Sequence, residues 1–370
     1  MSAGQKARGS KAVVAMSGGV DSSVAAAFLK ERGYDVTGIT MNLFSLPKES
    51  CRSEKLRSCC GRRAIDDAHR VAVHLGIPHF VADFRKEFEA AVIADFAREY
   101  GRGRTPNPCV RCNESIKFSL FLQRAKRLGT DYIATGHHAR VARDSAGGRF
   151  LLKKGRDGAK DQSYFLYRLN QAQLSMVLMP VGDFTKTEVR EMARRWGLPV
   201  AEKEESQETC FAPLGNYPEF LARRAPGAFR PGPIKDLAGR ILGEHMGIGN
   251  YTVGQRRGLG ISAPRPLYVV AIDAPRNAVI IGEEKDLYRK KLLASDIRLI
   301  SGERLEGPVI VKAKIRYKHR EARALIIPVS PRRARVEFER PQRAIAPGQS
   351  VVFYRRDVVI GGGIIVRTLD

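Results

Sequence analysis

Three cysteines and one glycine-rich turn are the residues of this chain best placed to do chemistry. Cys109 and Cys112 form a C-x-x-C pair in TPNPCVRCN (Thr105–Asn113), and Cys210 lies far along the chain in SQETCF (Ser206–Phe211). A pair at this spacing suits metal ligation, a sulfur or redox relay, or plain buried packing. The turn is SGGVDSS, Ser17 to Ser23. There Ser17, Gly18 and Gly19 can turn successive backbone N–H groups toward an anion, Ser22 and Ser23 can add hydroxyl donors, and Asp21 can hold Mg²⁺. It lacks the GK[ST] of a Walker A loop. Without that lysine the turn suits holding a departing pyrophosphate better than transferring a γ-phosphate.

These groups need elements to position them. Lys11–Met16 (KAVVAM) predicts a buried strand, and the run after SGG predicts a helix with Val24, Ala25, Phe28 and Leu29 on one face and Gly33 past its end. Strands follow at Asp35–Leu43, His79–Phe84 and Tyr132–Thr135. Helices are expected at Ala64–Leu75, Phe88–Tyr100 and Ile116–Leu128, with the C-x-x-C in a proline-stiffened loop between the last two. Strands alternating with helices imply a parallel sheet that binds ligands beyond the strand C-termini. After about Arg224 helical periodicity stops. Short β-rich runs follow at Leu267–Ile272, Ala278–Gly282, Val309–Tyr317, Ala334–Phe338, Ser350–Tyr354 and Val358–Val366. The expected organisation is a flexible basic tail (1–11), a catalytic α/β domain (12–224), a central β-rich domain (225–290) and a C-terminal β-barrel (291–370).

Charge narrows the partner. The 370 residues carry 64 Lys and Arg against 39 Asp and Glu, a net +25. Such an excess fits a polyanion, since sequence-independent nucleic-acid affinity comes from phosphate neutralisation. From Lys291 to Asp370 there are 17 basic and 8 acidic residues, a net +9. In VKAKIRYK the strand alternation puts Val311, Ala313, Ile315 and Tyr317 on one face and Lys312, Lys314, Arg316 and Lys318 on the other. No apolar run reaches the length of a membrane span, and the basic N-terminus has no apolar leader, so a cytosolic protein is expected. Cys51, Cys59 and Cys60, in the basic stretch ESCRSEKLRSCCGRR, read as spectator thiols.

AMSGGVDSS resembles the PP-loop of ATP pyrophosphatases, enzymes that adenylate an oxygen of their substrate and release pyrophosphate. With it, TPNPCxxCN, IKF (Ile116–Phe118), ATGHHAR (Ala134–Arg140), KDQSYFL (Lys160–Leu166), SQETCF and YTVGQRRGLGI (Tyr251–Ile261) occur in the order seen in the tRNA-specific 2-thiouridylases. The resemblance runs from about residue 12 to the C-terminus. It implies a PP-loop α/β parallel-sheet domain followed by two small β-rich domains, and ATP-dependent 2-thiolation of the wobble uridine 34 of tRNA through an adenylated uridine.

By that resemblance Ala15, Met16, Ser17, Gly18, Gly19, Val20, Asp21, Ser22, Met41 and Gly136 contact ATP, with Mg²⁺. Cys112 is the nucleophile and Cys210 the persulfide carrier, while Asn107, Pro108 and Cys109 meet the target base. His137, Lys160, Asp161, Gln162, Arg316, Tyr317 and Gln349 contact tRNA, whose anticodon stem-loop is the partner. The sulfur comes from a donor protein or from hydrosulfide. Many members of the family have aspartate where this chain has Cys109. Three thiolates at 109, 112 and 210 favour a [4Fe–4S] cluster with one open iron over a persulfide relay. Two other readings stay open on the residues alone. A PP-loop amidating ligase of a small molecule would need an ammonia source and leaves the cysteines unused, and a non-catalytic RNA-binding metalloprotein leaves SGGVDSS unused. His138 reads as a cap at the sheet edge.

Overall fold

A computed structural model describes residues 9–44, 61–145, 147–204, 210–211, 217–222 and 224–369. Most of the N-terminal tail and the stretch with Cys51, Cys59 and Cys60 lie outside the described residues. Five parallel strands form the first sheet: β1 (Lys11–Ala15), β2 (Asp35–Asn42), β3 (His79–Asp83), β4 (Tyr132–Ala134) and Val177–Leu178. Their order is β3-β2-β1-β4 and then Val177–Leu178. Neighbours to the left of β1 run back to β3 and those to the right run forward, so the strand order reverses between β1 and β4. That crevice is where an open α/β sheet binds its ligand.

Strand alternation builds two apolar layers. Ala12, Val14 and Met16 pack against helices α1 (Val20–Glu31), α2 (Arg62–Leu75) and Lys186–Arg195, while Val13 and Ala15 face the Phe84, Phe88, Ile116 and Phe121 side. Apart from the edge strand β3, whose Phe80 and Val81 are exposed, the sheet is buried on both faces, which is why β1 reads as a continuous apolar run.

The second helical layer departs from expectation. The helix predicted over Phe88–Tyr100 is three pieces, Arg85–Phe88, Glu89–Ile93 and Ala94–Gly101, with the middle one wound in π geometry. The next helix begins at Pro108, eight residues before the predicted Ile116, and continues as a π-wound stretch over Cys112–Phe121. The C-x-x-C is therefore helical and not looped. Pro108 takes the first helical position, where a missing N–H costs nothing, and Asn107 Oδ1 caps it by accepting from Val110 N at 3.2 Å. These local signals were present in the sequence beneath the proline punctuation. Long π stretches are rare and concentrate at functional sites.

The C-terminal half holds two β units. Strands Gly232–Lys235, Ile241–His245, Tyr268–Asp273 and Ala278–Gly282 make a small sheet. Six more, Tyr288–Leu299, Val309–Lys314, Ala322–Ser330, Arg333–Arg343, Ser350–Arg355 and Val358–Thr368, close into a barrel, since the first pairs with both the fourth and the last. The first and third of these strands went unpredicted. A hairpin from the first domain, Ala139–Arg143 with Phe150–Lys154, joins the barrel through Val358↔Lys153 and Val359↔Leu152. Leu152, Tyr164, Tyr167, Val352, Tyr354 and Val359 are buried in one cluster across that junction. No described helix is long and apolar enough to cross a membrane.

Candidate active site

One cavity of about 380 Å³ opens at the crevice between β1 and β4. Its nucleotide end is made by the ends of three strands: Ala15, Met16 and Ser17 after β1, Met41 in β2, and Thr135 and Gly136 after β4. The turn folds on itself. Ser17 N donates to Ser22 Oγ at 3.1 Å, and Ser22 Oγ and Ser23 Oγ donate to Gly19 O at 3.1 and 2.9 Å. Ser23 is fully buried, so its hydroxyl braces the turn and faces no ligand. Two glycines are required by close approach. A Cβ on Gly18, whose φ is +67°, would sit 2.2 Å from Ala64 O, and one on Gly136 would sit 2.5 Å from Ser22 N.

Asp21 is the acidic group of the turn. Its Oδ1 lies 2.5 Å from Lys186 Nζ and 3.2 Å from His138 Nε2. Burial pushes the Asp21 carboxyl up, but the His138 hydrogen bond and the Lys186 charge outweigh it, and the group stays below its ordinary value. Lys203 Nζ donates to Gly18 O at 2.8 Å and pairs with Asp67.

The thiol end of the same cavity is lined by Pro108, Cys109, Cys112, Asn113, Phe165, Cys210 and Phe211. Cys109 is exposed, Cys112 buried and Cys210 between the two, all three as thiols. Positions 109 and 112 are three apart on a helix and so share a face. Cys210 is set by its neighbour: Phe211 is 4% exposed, with ring contacts to Phe88, Phe96 and Phe220. Asn113 donates to Phe165 O at 3.3 Å, while its buried Oδ1 accepts no hydrogen bond.

The residues expected to touch RNA scatter. His137 and Gln162 line the cavity. His137 Nδ1 lies 2.8 Å from Thr135 Oγ1, and burial, then the Lys117 charge, hold its pKa well below the ordinary histidine value. Gln162 Oε1 accepts from His138 N at 2.9 Å. Asp161 is buried and braces its own turn, accepting from Gly155 N and Ser163 N at 3.0 Å each; Lys160 beside it is half-buried. Arg316 and Lys314 are half-buried and not on a solvated barrel face, and Arg316 Nη2 donates to Ala344 O. Tyr317 stacks on Phe165 with centroids 4.5 Å apart. Gln349 Nε2 donates to Thr105 O at 2.9 Å, fastening the segment just before Asn107.

Family profiles cover nearly the whole chain: a tRNA methyl transferase HUP domain over residues 10–213, a tRNA methyl transferase PRC-barrel domain over 218–283 and an aminomethyltransferase β-barrel domain over 289–365. The tRNA-specific 2-thiouridylase of Moorella thermoacetica is 52% identical over 95% of this chain and 98% of its own. The chain belongs to the tRNA-specific 2-thiouridylase family. It is an enzyme of that kind. The 2-thiouridylases of Halothermothrix orenii, 51% identical over 96% of this chain and 98% of its own, and Heliobacterium modesticaldum, 52% identical over 97% and 93%, extend the same likeness. A solved 4-thiouridine synthetase–RNA complex with bound ATP aligns with 59% of this chain and 50% of its own, at 19% identity and a TM-score of 0.32, too low to bear on this chain.

Within this thiouridylase-family site the three thiols line one cavity wall. Among the described residues no group of three or more His, Cys, Asp or Glu side chains is arranged to hold a metal ion. The [4Fe–4S] expectation has no support in this geometry, because a shared cavity wall is not a ligand set. Several cavity residues were missed by sequence reasoning: Asn113, Lys117, Lys186 and Lys203. Lys186 had a usable signal. Thr185-Lys186-Thr187-Glu188 is a capping box, with Glu188 N donating to Thr185 Oγ1 at 3.3 Å, so Lys186 had to open a helix. Nothing local marks Lys203, which meets the turn only through the fold.

Proposed function

We propose that this protein 2-thiolates uridine 34 of tRNA, using ATP to adenylate the base and its cysteine thiols to deliver sulfur. The carrying observation is that one cavity has the pyrophosphate-type turn at one end and Cys109, Cys112 and Cys210 at the other. Family membership supports uridine as the acceptor. A uracil C2 carbonyl is amide-like and its oxygen a poor leaving group, which explains why both ends are needed.

In this reading the uracil O2 attacks the α-phosphorus and pyrophosphate departs from the Ser17–Ser22 turn. Backbone N–H groups, Lys186 and Lys203 stabilise charge that develops there. Asp21 with the nucleotide's own phosphate oxygens suits Mg²⁺, which takes few protein ligands and would neutralise charge on the phosphates. Asn113 Oδ1 supplies an acceptor for the uracil ring N–H. A persulfide donor leaves Cys210 as Cys210–S–SH, whose terminal sulfur attacks C2 while AMP leaves. Cys112 thiolate then attacks Cys210 Sγ, which breaks the S–S bond, frees the 2-thiocarbonyl and leaves a Cys112–Cys210 disulfide for a dithiol reductant. This route uses thiols alone and needs no cluster.

The test is a reconstituted reaction with tRNA transcript, ATP, a persulfide donor and dithiol, read by nucleoside mass spectrometry and phosphate analysis. The expected products are 2-thiouridine at position 34, AMP and pyrophosphate. ADP formation, or sulfur at another position, would overturn the reading. Full thiolation that appears only in iron-loaded anaerobic protein would overturn the thiol route while leaving the substrate assignment intact.

A further inference from the structure

A second cavity, about 260 Å³, lies against the first through a shared wall. That wall is the helical turn Pro108–Arg111: Pro108, Cys109 and the following Cys112 line the thiol side, while Asn107, Val110 and Arg111 line the other. The far wall is the barrel, through Ser295, Gly348, Ser350 and Ile364. Five arginines line this cleft, Arg98, Arg102, Arg104, Arg111 and Arg168, against two carboxylates, Asp95 and Glu99. Glu114 and Asp296 reach the same network from behind by pairing with Arg168.

Two of these arginines are incompletely satisfied. Arg104 Nε and Arg168 Nε are buried, and neither donates a hydrogen bond, although carboxylate oxygens of Glu99 and Glu114 lie within ion-pair range at 3.2 and 2.7 Å. The Arg168 side chain is only 2% exposed. Buried guanidinium donors whose acceptors are poorly aligned are costly, and five guanidinium groups against the four carboxylates Asp95, Glu99, Glu114 and Asp296 leave one positive charge over. A cleft of this kind is complementary to a phosphate, whose oxygens accept from guanidinium in forked geometry.

We propose that this cleft receives a backbone phosphate of the RNA substrate, one placed so that the target base enters the thiol cavity on the other side of the Pro108–Arg111 turn. The assignment rests on RNA being the substrate. Strand connectivity favours it over a free anion, because the cleft is walled by both the thiol helix and the barrel. An RNA strand bridging those two bodies passes its mouth, and its phosphate would fix the register of the base relative to Cys112. Gln349 completes the arrangement by holding Thr105 and Pro106, the entry to the shared helix, onto the barrel.

The experiment measures binding of an anticodon stem-loop RNA by fluorescence anisotropy across a salt series, for wild type, Arg104→Gln and Arg102→Gln. The second variant guards against misfolding, since its side chain is 60% exposed. Each is expected to weaken RNA affinity by roughly tenfold and to lower the salt slope by about one, with ATP affinity unchanged. A set of RNAs with one neutral methylphosphonate linkage each should contain one that loses affinity on wild type and shows no further loss on Arg104→Gln. Unchanged RNA affinity together with a lowered unfolding midpoint would overturn the inference and leave a purely structural ion-pair network. Inorganic phosphate or pyrophosphate binding that depends on Arg104 while RNA affinity does not would also overturn it. If wild type itself binds no tRNA, the functional reading falls first and this inference with it.

Discussion

At the nucleotide end of the active-site cavity the chain spends eight consecutive residues, Ala15 to Ser22, and works mostly through backbone geometry. At the thiol end it gathers side chains from Pro108, Phe165 and Cys210, separated by about a hundred residues, and works through apolar packing. The first end tolerates no added atom, as the 2.2 and 2.5 Å approaches at Gly18 and Gly136 indicate. The second is walled by Phe88, Val92, Phe165 and Phe211. Backbone donors hold phosphate without moving, whereas the proposed thiol route needs thiols that approach one another in turn. On that proposal rigidity and adaptability divide along the cavity.

That division can be broken or sharpened by experiment. The largest effect is expected from Cys112→Ala or Cys210→Ala, each lowering 2-thiouridine yield by about a thousandfold or more. RNA affinity and ATP–pyrophosphate exchange should persist; loss of exchange would mean that the two ends are not separable. Lys186→Met is expected to slow exchange by about a hundredfold, the scale of removing one charge-stabilising donor, while alkylation of Cys210 proceeds at the wild-type rate. Gly136→Ala drives a Cβ into Ser22 N and should destabilise the fold by about 1–3 kcal/mol and weaken ATP binding by roughly tenfold, with thiol reactivity unchanged. Altered thiol reactivity in that variant would show the nucleotide turn steering the cysteines.

The smallest effect concerns pH. Burial holds His137 neutral, so the folded state binds fewer protons than the unfolded one below the ordinary histidine value. Stability from this group is complete above about pH 6.5 and declines as pH falls below it, by up to about 1.4 kcal/mol per unit. His137→Gln should flatten part of that decline in denaturant titrations between about pH 6.5 and 5. His79, His245 and His319 are also lowered and leave a residual slope. An unchanged slope in the variant would mean that His137 titrates normally and is solvated.

Joining the two ends is the work of the barrel as much as of the sheet. The hairpin Ala139–Arg143/Phe150–Lys154 leaves the catalytic sheet just after Gly136 and His137, then pairs with the last barrel strand. Tyr164 OH donates to Ser350 O at 2.9 Å, and Phe165 stacks on Tyr317. Tyr317 and Gln349 thus hold the barrel against the thiol end, while Arg316 donates within the barrel half to Ala344 O.

The sequence by itself determined the strand–turn–helix at SGGVDSS, the parallel sheet, the alternating barrel strands and the three thiols worth watching. Each is written in short-range form: β1 as an apolar run, α1 by Val24, Ala25, Phe28 and Leu29, and the Val311, Ala313 and Ile315 face by period-two alternation. Asn107 and Pro108 also carried a local helix-start signal, masked by the proline punctuation; only the tertiary structure decided that Lys186 and Lys203 supply the cations the turn lacks and that five arginines surround a cleft behind Cys109. Those facts depend on pairings between residues 165 to 244 positions apart, such as Lys186 with Asp21, Lys203 with Gly18 and Gln349 with Thr105. Local periodicity records which face of an element is buried and says nothing of which distant element buries it.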